Sequence, residues 1–208
     1  MKRELDEYLC KVFPKMMVNR TKPMQETCMC WGFECGDGWF NILNQLMGDI
    51  QSHIDWRIRQ RDVAVKYNEM AQQLRAGDST LFDEEHKDLL NQDYVEKRKQ
   101  EIIDGDLRTV PEIIPQVTLD QVKEKFGTLR FYYTGGDDVI DGMVRMAESM
   151  SGVMCETCGS PATTEGPEDG FGWIRTECKT CAEARELARE LAAEEREMKK
   201  LLKEGNEQ

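Results

Sequence analysis

The sequence predicts an α+β fold: a small antiparallel β-hairpin or sheet packed with helices, followed by a four-cysteine finger and a long terminal helix. Three observations carry this. Apolar residues recur at three- and four-residue spacing from Trp39 to about Leu74, the period of a helix with one buried face. β-Branched and aromatic residues alternate around a turn in VTLDQVKEKFGTLRFYY, the pattern of paired strands. CETC and CKTC stand 19 residues apart and lead into AEARELARELAAEEREMKK, a run of strong helix formers.

The elements follow in order. Residues 3–18 carry Leu5, Leu9, Val12, Phe13, Met16 and Met17 at helical spacing, interrupted by Pro14, whose ring cannot continue a helix. A loop containing Pro23 leads into WGFECGDGWF, where Gly32, Gly36 and Gly38 mark a tight loop or a strand entering a turn. Asp37 is placed to cap the helix that follows. That helix aligns Phe40, Leu43, Leu46, Met47, Ile50, Ile54 and Ile58 and ends at Gly77. A second, mostly polar helix is expected over residues 83–103, stopped by Gly105. Two strands are expected over residues 114–123 and 128–134, joined near 124–127. Gly135-Gly136-Asp137-Asp138 ends the second strand. Asp137 or Asp138 then caps a helix over residues 139–150, with Ile140, Met143, Val144 and Ala147 on its apolar face. Trp31, Trp39, Trp56 and Trp173 are assigned to core packing. The resulting division is an α+β domain over 1–152 with an acidic helical insertion at 77–112, a finger over 153–182 and a C-terminal helix over 183–208.

Charge narrows the function classes. The 208 residues carry a net charge of -12. Phosphate-backbone binding rests on Lys and Arg displacing counterions, so general nucleic-acid binding is disfavoured. Residues 77–112 hold eleven acidic and five basic side chains, which marks that segment as a solvated insertion. No stretch approaches the ~20 apolar residues of a membrane span. MKRELDEYLC carries acids where a signal peptide has an apolar run, so a cytoplasmic location is expected. Eight cysteines in such a chain point to metal ligation or reduced thiols rather than disulfides.

Cys155, Cys158, Cys178 and Cys181 form two knuckles with the spacing of a tetrahedral thiolate site, so one Zn2+ is expected. Four thiolates close the coordination shell, whereas a catalytic zinc keeps a position for water. The metal is therefore expected to be structural and its binding energy to be folding energy. Between the knuckles a Gly/Pro/acid turn is expected over 160–170 and a strand over 172–176; knuckle, hairpin and a second knuckle opening a helix resemble the treble-clef group of fingers. Some members of that group are nucleases with histidines beside the finger. His53 and His86 lie far upstream in sequence, which weakens that reading. Cys10, Cys28, Cys30 and Cys35 lack a two-residue knuckle. They are read as reduced thiols, with a second metal site as the alternative.

FECGDGWF, QVKEKFGTLRFYYTGGDD, and CETCG with GWIRTEC together resemble an uncharacterised family of small proteins from tailed phages and bacterial genomes. The resemblance covers residues 31–50 and most of 116–181, leaving the insertion and the terminal helix outside. It implies a phage-type origin, and hence the cytoplasm of a bacterial host. It assigns no role to any residue.

Two groups of residues are candidates for ligand binding. Alternation puts Arg130, Tyr132 and Thr134 on one strand face and Leu129, Phe131 and Tyr133 on the other. With Lys123 and Lys125 from the neighbouring strand or turn, Arg130 and Tyr132 could grip a phosphate or carboxylate and stack on a ring. An ordinary exposed face with cross-strand pairs is the competing reading. Glu34, Asp37, Asp137 and Asp138 could hold a divalent cation if their loops meet; acids ahead of helices are also common as caps.

In the terminal helix, Ala184, Leu187, Leu191, Met198 and Leu201 fall near a heptad seam that Glu194 interrupts. It either packs or projects within a monomer, or pairs in a homodimer. These features together favour a non-enzymatic accessory protein that binds a host protein or a small phosphorylated ligand, for instance to counter host defence. A nucleic-acid-associated finger and a divalent-metal enzyme acting on a nucleotide-like ligand are the alternatives.

Overall fold

The computed structural model describes residues 1–166 and 172–206, with residues 201–206 described by their backbone alone. The end of the turn expected over 160–170, residue 171 before the expected strand, and the final two residues lie outside the described residues. In chain order the elements are α1 (Arg3–Val12), β1 (Phe33–Glu34), α2 (Phe40–Arg75), α3 (Thr80–His86), α4 (Gln92–Asp104), β2 (Thr118–Lys125), β3 (Thr128–Thr134), α5 (Asp138–Ser151), β4 (Thr163–Glu165), β5 (Arg175–Glu177) and α6 (Lys179–Asn206). Single 3₁₀ turns, Cys28–Trp31 and Asp37–Trp39, bracket β1. The fold is α+β. No helix among the described residues is long and apolar enough to cross a membrane.

The chain divides into two compact units. One is Met1–Gln51 with everything from Gln116 onward; the other is Ser52–Pro115. The finger belongs to the first unit, together with the sheet.

In the first unit a three-stranded sheet has the order β1-β2-β3. β2 and β3 form the expected antiparallel hairpin. β1 departs from the all-antiparallel expectation: it runs parallel to β2, pairing Phe33 with Val122 and Glu34 with Lys123. β2 starts at Thr118 rather than 114 and extends to Lys125, because Pro115 cannot donate to a ladder. The register shifts between Leu119 and Gln121, and Asp120 at this bulge accepts a hydrogen bond from Thr134 Oγ1 at 2.8 Å. The inner face presents Phe33, Leu119, Val122, Leu129 and Phe131, all buried. Leu9, Met16, Met29, Trp39, Leu43, Met47, Ile50 and Ile140 complete this core at under 2 % exposure.

The outer edge of β3 is covered rather than left open. Leu129 N donates to Ser151 Oγ at 2.8 Å and Phe131 N to Glu148 Oε1 at 2.9 Å, both acceptors coming from α5. This removes the exposed edge through which strands associate. Asp137 caps α5 as expected, its Oδ1 accepting from Ile140 N at 3.1 Å.

The second unit has its own core of Met70, Ala71, Leu74, Phe82 and Ile102, with Tyr67, Leu81, Val95 and Ile103 packed around it. The expected helix over 83–103 is two helices. The first ends at His86, and after a break over 87–91 Asn91 caps the second, its Oδ1 accepting from Tyr94 N at 3.1 Å. This unit begins at Ser52 rather than at 77 because α2 supplies part of its apolar face: Tyr67, Met70, Ala71 and Leu74 lie on α2, whereas residues 77–112 alone are too polar to form a core.

The assignment of all four tryptophans to packing is corrected. Trp39 is fully buried, but Trp31, Trp56 and Trp173 are exposed, Trp173 at 77 %. Trp31 and Trp173 sit on segments too short to be covered on both sides.

The β2–β3 turn holds Phe126 at φ 55° and Gly127 at φ 77°. Two consecutive left-handed residues make the turn whose twist matches a tight hairpin, for which Asn-Gly is the favoured pair. Phenylalanine in that conformation costs roughly 1–2 kcal/mol. Replacing it by asparagine, F126N, is expected to raise stability by about 1 kcal/mol, read as a higher denaturant midpoint. An unchanged midpoint would contradict the strain.

Candidate metal centre

Cys155, Cys158, Cys178 and Cys181 converge, with sulfur atoms 3.5–3.9 Å apart. Tetrahedral coordination with metal–sulfur bonds of about 2.3 Å requires an edge of about 3.8 Å, so the spacing matches one metal ion. Among the described residues these four are the one group of three or more His, Cys, Asp or Glu close enough to share an ion. The first knuckle is shaped by Cys155 N donating to Ser160 O at 2.7 Å and by Gly159 N donating to Cys155 O at 2.8 Å. The second straddles the start of α6: Cys178 precedes Lys179, and Ala182 N donates to Cys178 O at 3.0 Å. The helix N-terminus stabilises negative charge on the sulfurs. Hydrogen bonds from the Ser160 side chain and backbone draw the Cys158 thiol down to about 6. Hydrogen bonding to Cys158 and Cys178 pushes Cys181 up.

The knuckle is locked to the segment Gly36-Asp37-Gly38-Trp39. Gly38 N donates to Glu156 O at 2.8 Å, Gly36 N to Glu156 Oε1 at 2.8 Å and Trp39 Nε1 to Met154 O at 2.8 Å. The approach leaves no room for side chains. A β-carbon at Gly36 would collide with the carbonyl oxygen of Glu156, and one at Gly38 with that of Cys155. Burial pushes the Glu156 carboxyl up from its ordinary range, and the Gly36 amide partly offsets this. Burial also pushes the Cys35 thiol up to about 12, which suits a packed, protonated thiol rather than a nucleophile.

The finger hairpin is held from its other side. β4 and β5 pair antiparallel, Thr164 opposite Thr176. The fully buried Thr176 donates its hydroxyl to Gly127 O at 2.5 Å, and Thr164 Oγ1 donates to Gly152 O at 3.0 Å. Glu156 N completes the tie by donating to Thr176 O at 2.8 Å. The strand expected over 172–176 is therefore Arg175–Glu177, the part with backbone partners.

The remaining cysteines do not assemble. Cys10, Cys28, Cys30 and Cys35 form no ligand group among the described residues, and the Cys30 thiol donates to Thr27 O at 3.2 Å. The predicted ligand residues divide into two sets. Glu34, Lys123 and Arg130 lie abreast on the outer sheet face, in register across all three strands, with Gln121 and Tyr132 as the next pair. Gln121 Nε2 donates to Glu34 Oε2 at 3.1 Å, and Lys123 Nζ lies 5.6 Å from the Tyr132 ring centroid. Lys125 Nζ sits 5.3 Å from the Phe126 ring. Arg130 folds back along its own strand on that face, its guanidinium bonded to Thr128 Oγ1 and Leu129 O, both at 2.7 Å.

The four carboxylates do not meet. Asp37, expected as a cap, instead accepts from Lys2 N at 2.7 Å and pairs with Lys2 Nζ at 3.1 Å. Asp138 is exposed at the start of α5. β3 leaves the sheet opposite Thr118, whereas Glu34 stands beside Lys123. At about 3.3 Å per strand residue these points are about 17 Å apart.

Gly36, Gly38, Gly127, Glu156 and Thr176 carry the finger contacts and were missed as such. The available signal was the closely repeated glycine of GDG, read as a turn, where it marks close backbone approach. No family model matches the chain, and no curated protein or solved structure is detectably similar to it.

Two outcomes are expected. G38A should cost about 2 kcal/mol or more, by overpacking, and should speed metal release to a chromophoric chelator. Wild-type release kinetics would show that the contact is not tight. Chelation should also expose Trp39, the one fully buried tryptophan, giving a red-shifted and more quenchable emission. Unchanged Trp39 emission after complete metal removal would mean that the knuckle holds its shape alone.

Proposed function

We propose that the chain is a non-catalytic, zinc-stapled accessory protein of phage type that binds a host protein. Zinc is the ion of choice because four soft thiolates at tetrahedral separation suit it, and the closed shell gives it a structural role. The observation that carries the binding role is an exposed apolar rim. Phe126 is 64 % exposed at the tip of the β2–β3 hairpin, and it lines one shallow depression with the exposed Trp173 and Ile174 of the finger. The strained backbone at Phe126 holds a large aromatic where the fold alone favours asparagine. Exposed aromatic surface on a rigid support is typical of protein–protein contact. The resemblance to a phage family directs the search to a bacterial host, with interference in host defence as the outcome to test. The separation of the candidate carboxylates argues against the metal-dependent enzyme.

A second reading, a small phosphorylated ligand or nucleic acid on the outer sheet face, is favoured by Lys123, Lys125 and Tyr132. The pairing of Glu34 beside Lys123 and the net charge work against it.

The test is photocrosslinking in host lysate from a group at position 125, which lines the same depression as Phe126 and Trp173. The expected result is stoichiometric capture of a host protein, lost in a Phe126→Ser, Trp173→Ser double variant that retains one zinc per chain. Absence of capture would remove the reading. Metal-dependent turnover of a nucleotide, lost on Asp138→Ala, would restore the enzyme.

A further inference from the structure

Helix α6 has 28 residues, about 42 Å of length. Its first turns are anchored: Arg185 Nε bonds the mostly buried Glu177 of β5 at 2.8 Å. Beyond that point nearly every described side chain up to Lys200 is exposed. Yet the helix carries an apolar stripe. At 100° per residue Ala184, Leu187, Leu191 and Met198 fall within about 60° of one another, and the last three are each more than half exposed. A helix gains most of its stability in proteins from packing such a face, so the stripe is a surface lacking its cover.

Charge decides what that cover is. One flank of the stripe is a rank of glutamates, Glu183, Glu190 and Glu197, and Glu194 lies within the seam between Leu191 and Met198. The other flank carries Ala188 and Glu195, with Ala192 further round, so a carboxylate frames the seam on this side too. In a parallel pair of α6 helices in register, Glu194 would face its own copy inside the seam, leaving two carboxylates desolvated together. In an antiparallel pair like flanks meet, and the glutamate rank would oppose itself. Both arrangements of a second copy are repelled. Of the two alternatives for α6, the homodimer is therefore disfavoured by the side chains that frame its seam.

We infer that α6 is the docking surface for an amphipathic helix of another protein, one whose apolar seam is flanked by lysine or arginine and places a cation opposite Glu194. This rests on the binding reading above and adds the chemistry of one partner element. Basic side chains would neutralise the glutamate rank at the rim and Glu194 in the seam, while the stripe is buried against a matching one.

The test uses the intact, zinc-loaded chain and fluorescence anisotropy of a labelled synthetic three-heptad helix with leucine at a and d and lysine at e and g. Controls are a glutamate-flanked helix and a scrambled peptide of the lysine composition. The lysine-flanked helix is expected to bind at least about tenfold more tightly than either control, and Leu191→Asp should remove that advantage. A chain carrying Glu190→Lys, Glu194→Lys and Glu197→Lys should prefer the glutamate-flanked helix. All these positions are exposed, so metal content should stay unchanged and report intact folding. Equal binding of the scrambled peptide, an unaltered preference after the charge reversal, or a dimer dissolved by Leu191→Asp would each overturn the inference. Loss of peptide preference with capture through Phe126 and Trp173 intact would remove the helix assignment alone. Absence of capture would remove the binding reading.

Discussion

The rest of the first unit depends on the contact between the Gly36–Trp39 backbone and the knuckle at Met154–Gly159. Three hydrogen bonds cross it, from Gly36 N, Gly38 N and Trp39 Nε1, and glycine is required where two backbones meet. The contact joins segments more than a hundred residues apart. It seats the only fully buried tryptophan and sets the entry of α2. It also fixes the first pair of thiols, so the cysteine cluster and the hydrophobic core constrain each other. A finger that shares its knuckle with the core loop is part of the domain rather than an appendage.

From that contact the order spreads in two directions. Through Glu156 N and Thr176 it reaches β5, whose hydroxyl at Thr176 binds the carbonyl of Gly127 at the β2–β3 turn. Through β1 it reaches the sheet, since Phe33 and Glu34 lie immediately before Cys35 and pair with β2. The hairpin tip is thus gripped from the finger side while its root is fixed by the sheet. This explains how Phe126 is kept in a left-handed conformation that an unsupported turn would relax. The same grip sets Phe126 and Trp173 on one surface, although 46 residues separate them in sequence.

Local chemistry was readable where one segment suffices. The CxxC pairs, the periodicity of α2, the alternation of β3 and the Asp137 cap each depend on neighbours within a few residues, and each is present. Readings that needed a distant partner fared differently. Asp37 looked like a cap because acids before helices usually are, but Lys2 claims it. The helix expected over 83–103 is interrupted over 87–91 and restarts at Asn91, whose side chain caps the second helix. Trp173 was assigned to a core because it is large, yet the finger hairpin is too thin to cover it.

By itself, the sequence determined the four clustered cysteines, the α+β composition and the outward basic and aromatic stripe of β3, because cysteine spacing and residue alternation are local properties of the chain. Tertiary structure alone decided that β1 joins β2 in parallel, that GDG is a seat for the finger, that the candidate carboxylates lie apart and that the α6 seam stands uncovered. These depend on which surfaces meet once loops have closed, and a residue's type specifies what it can bond with but not which partner arrives.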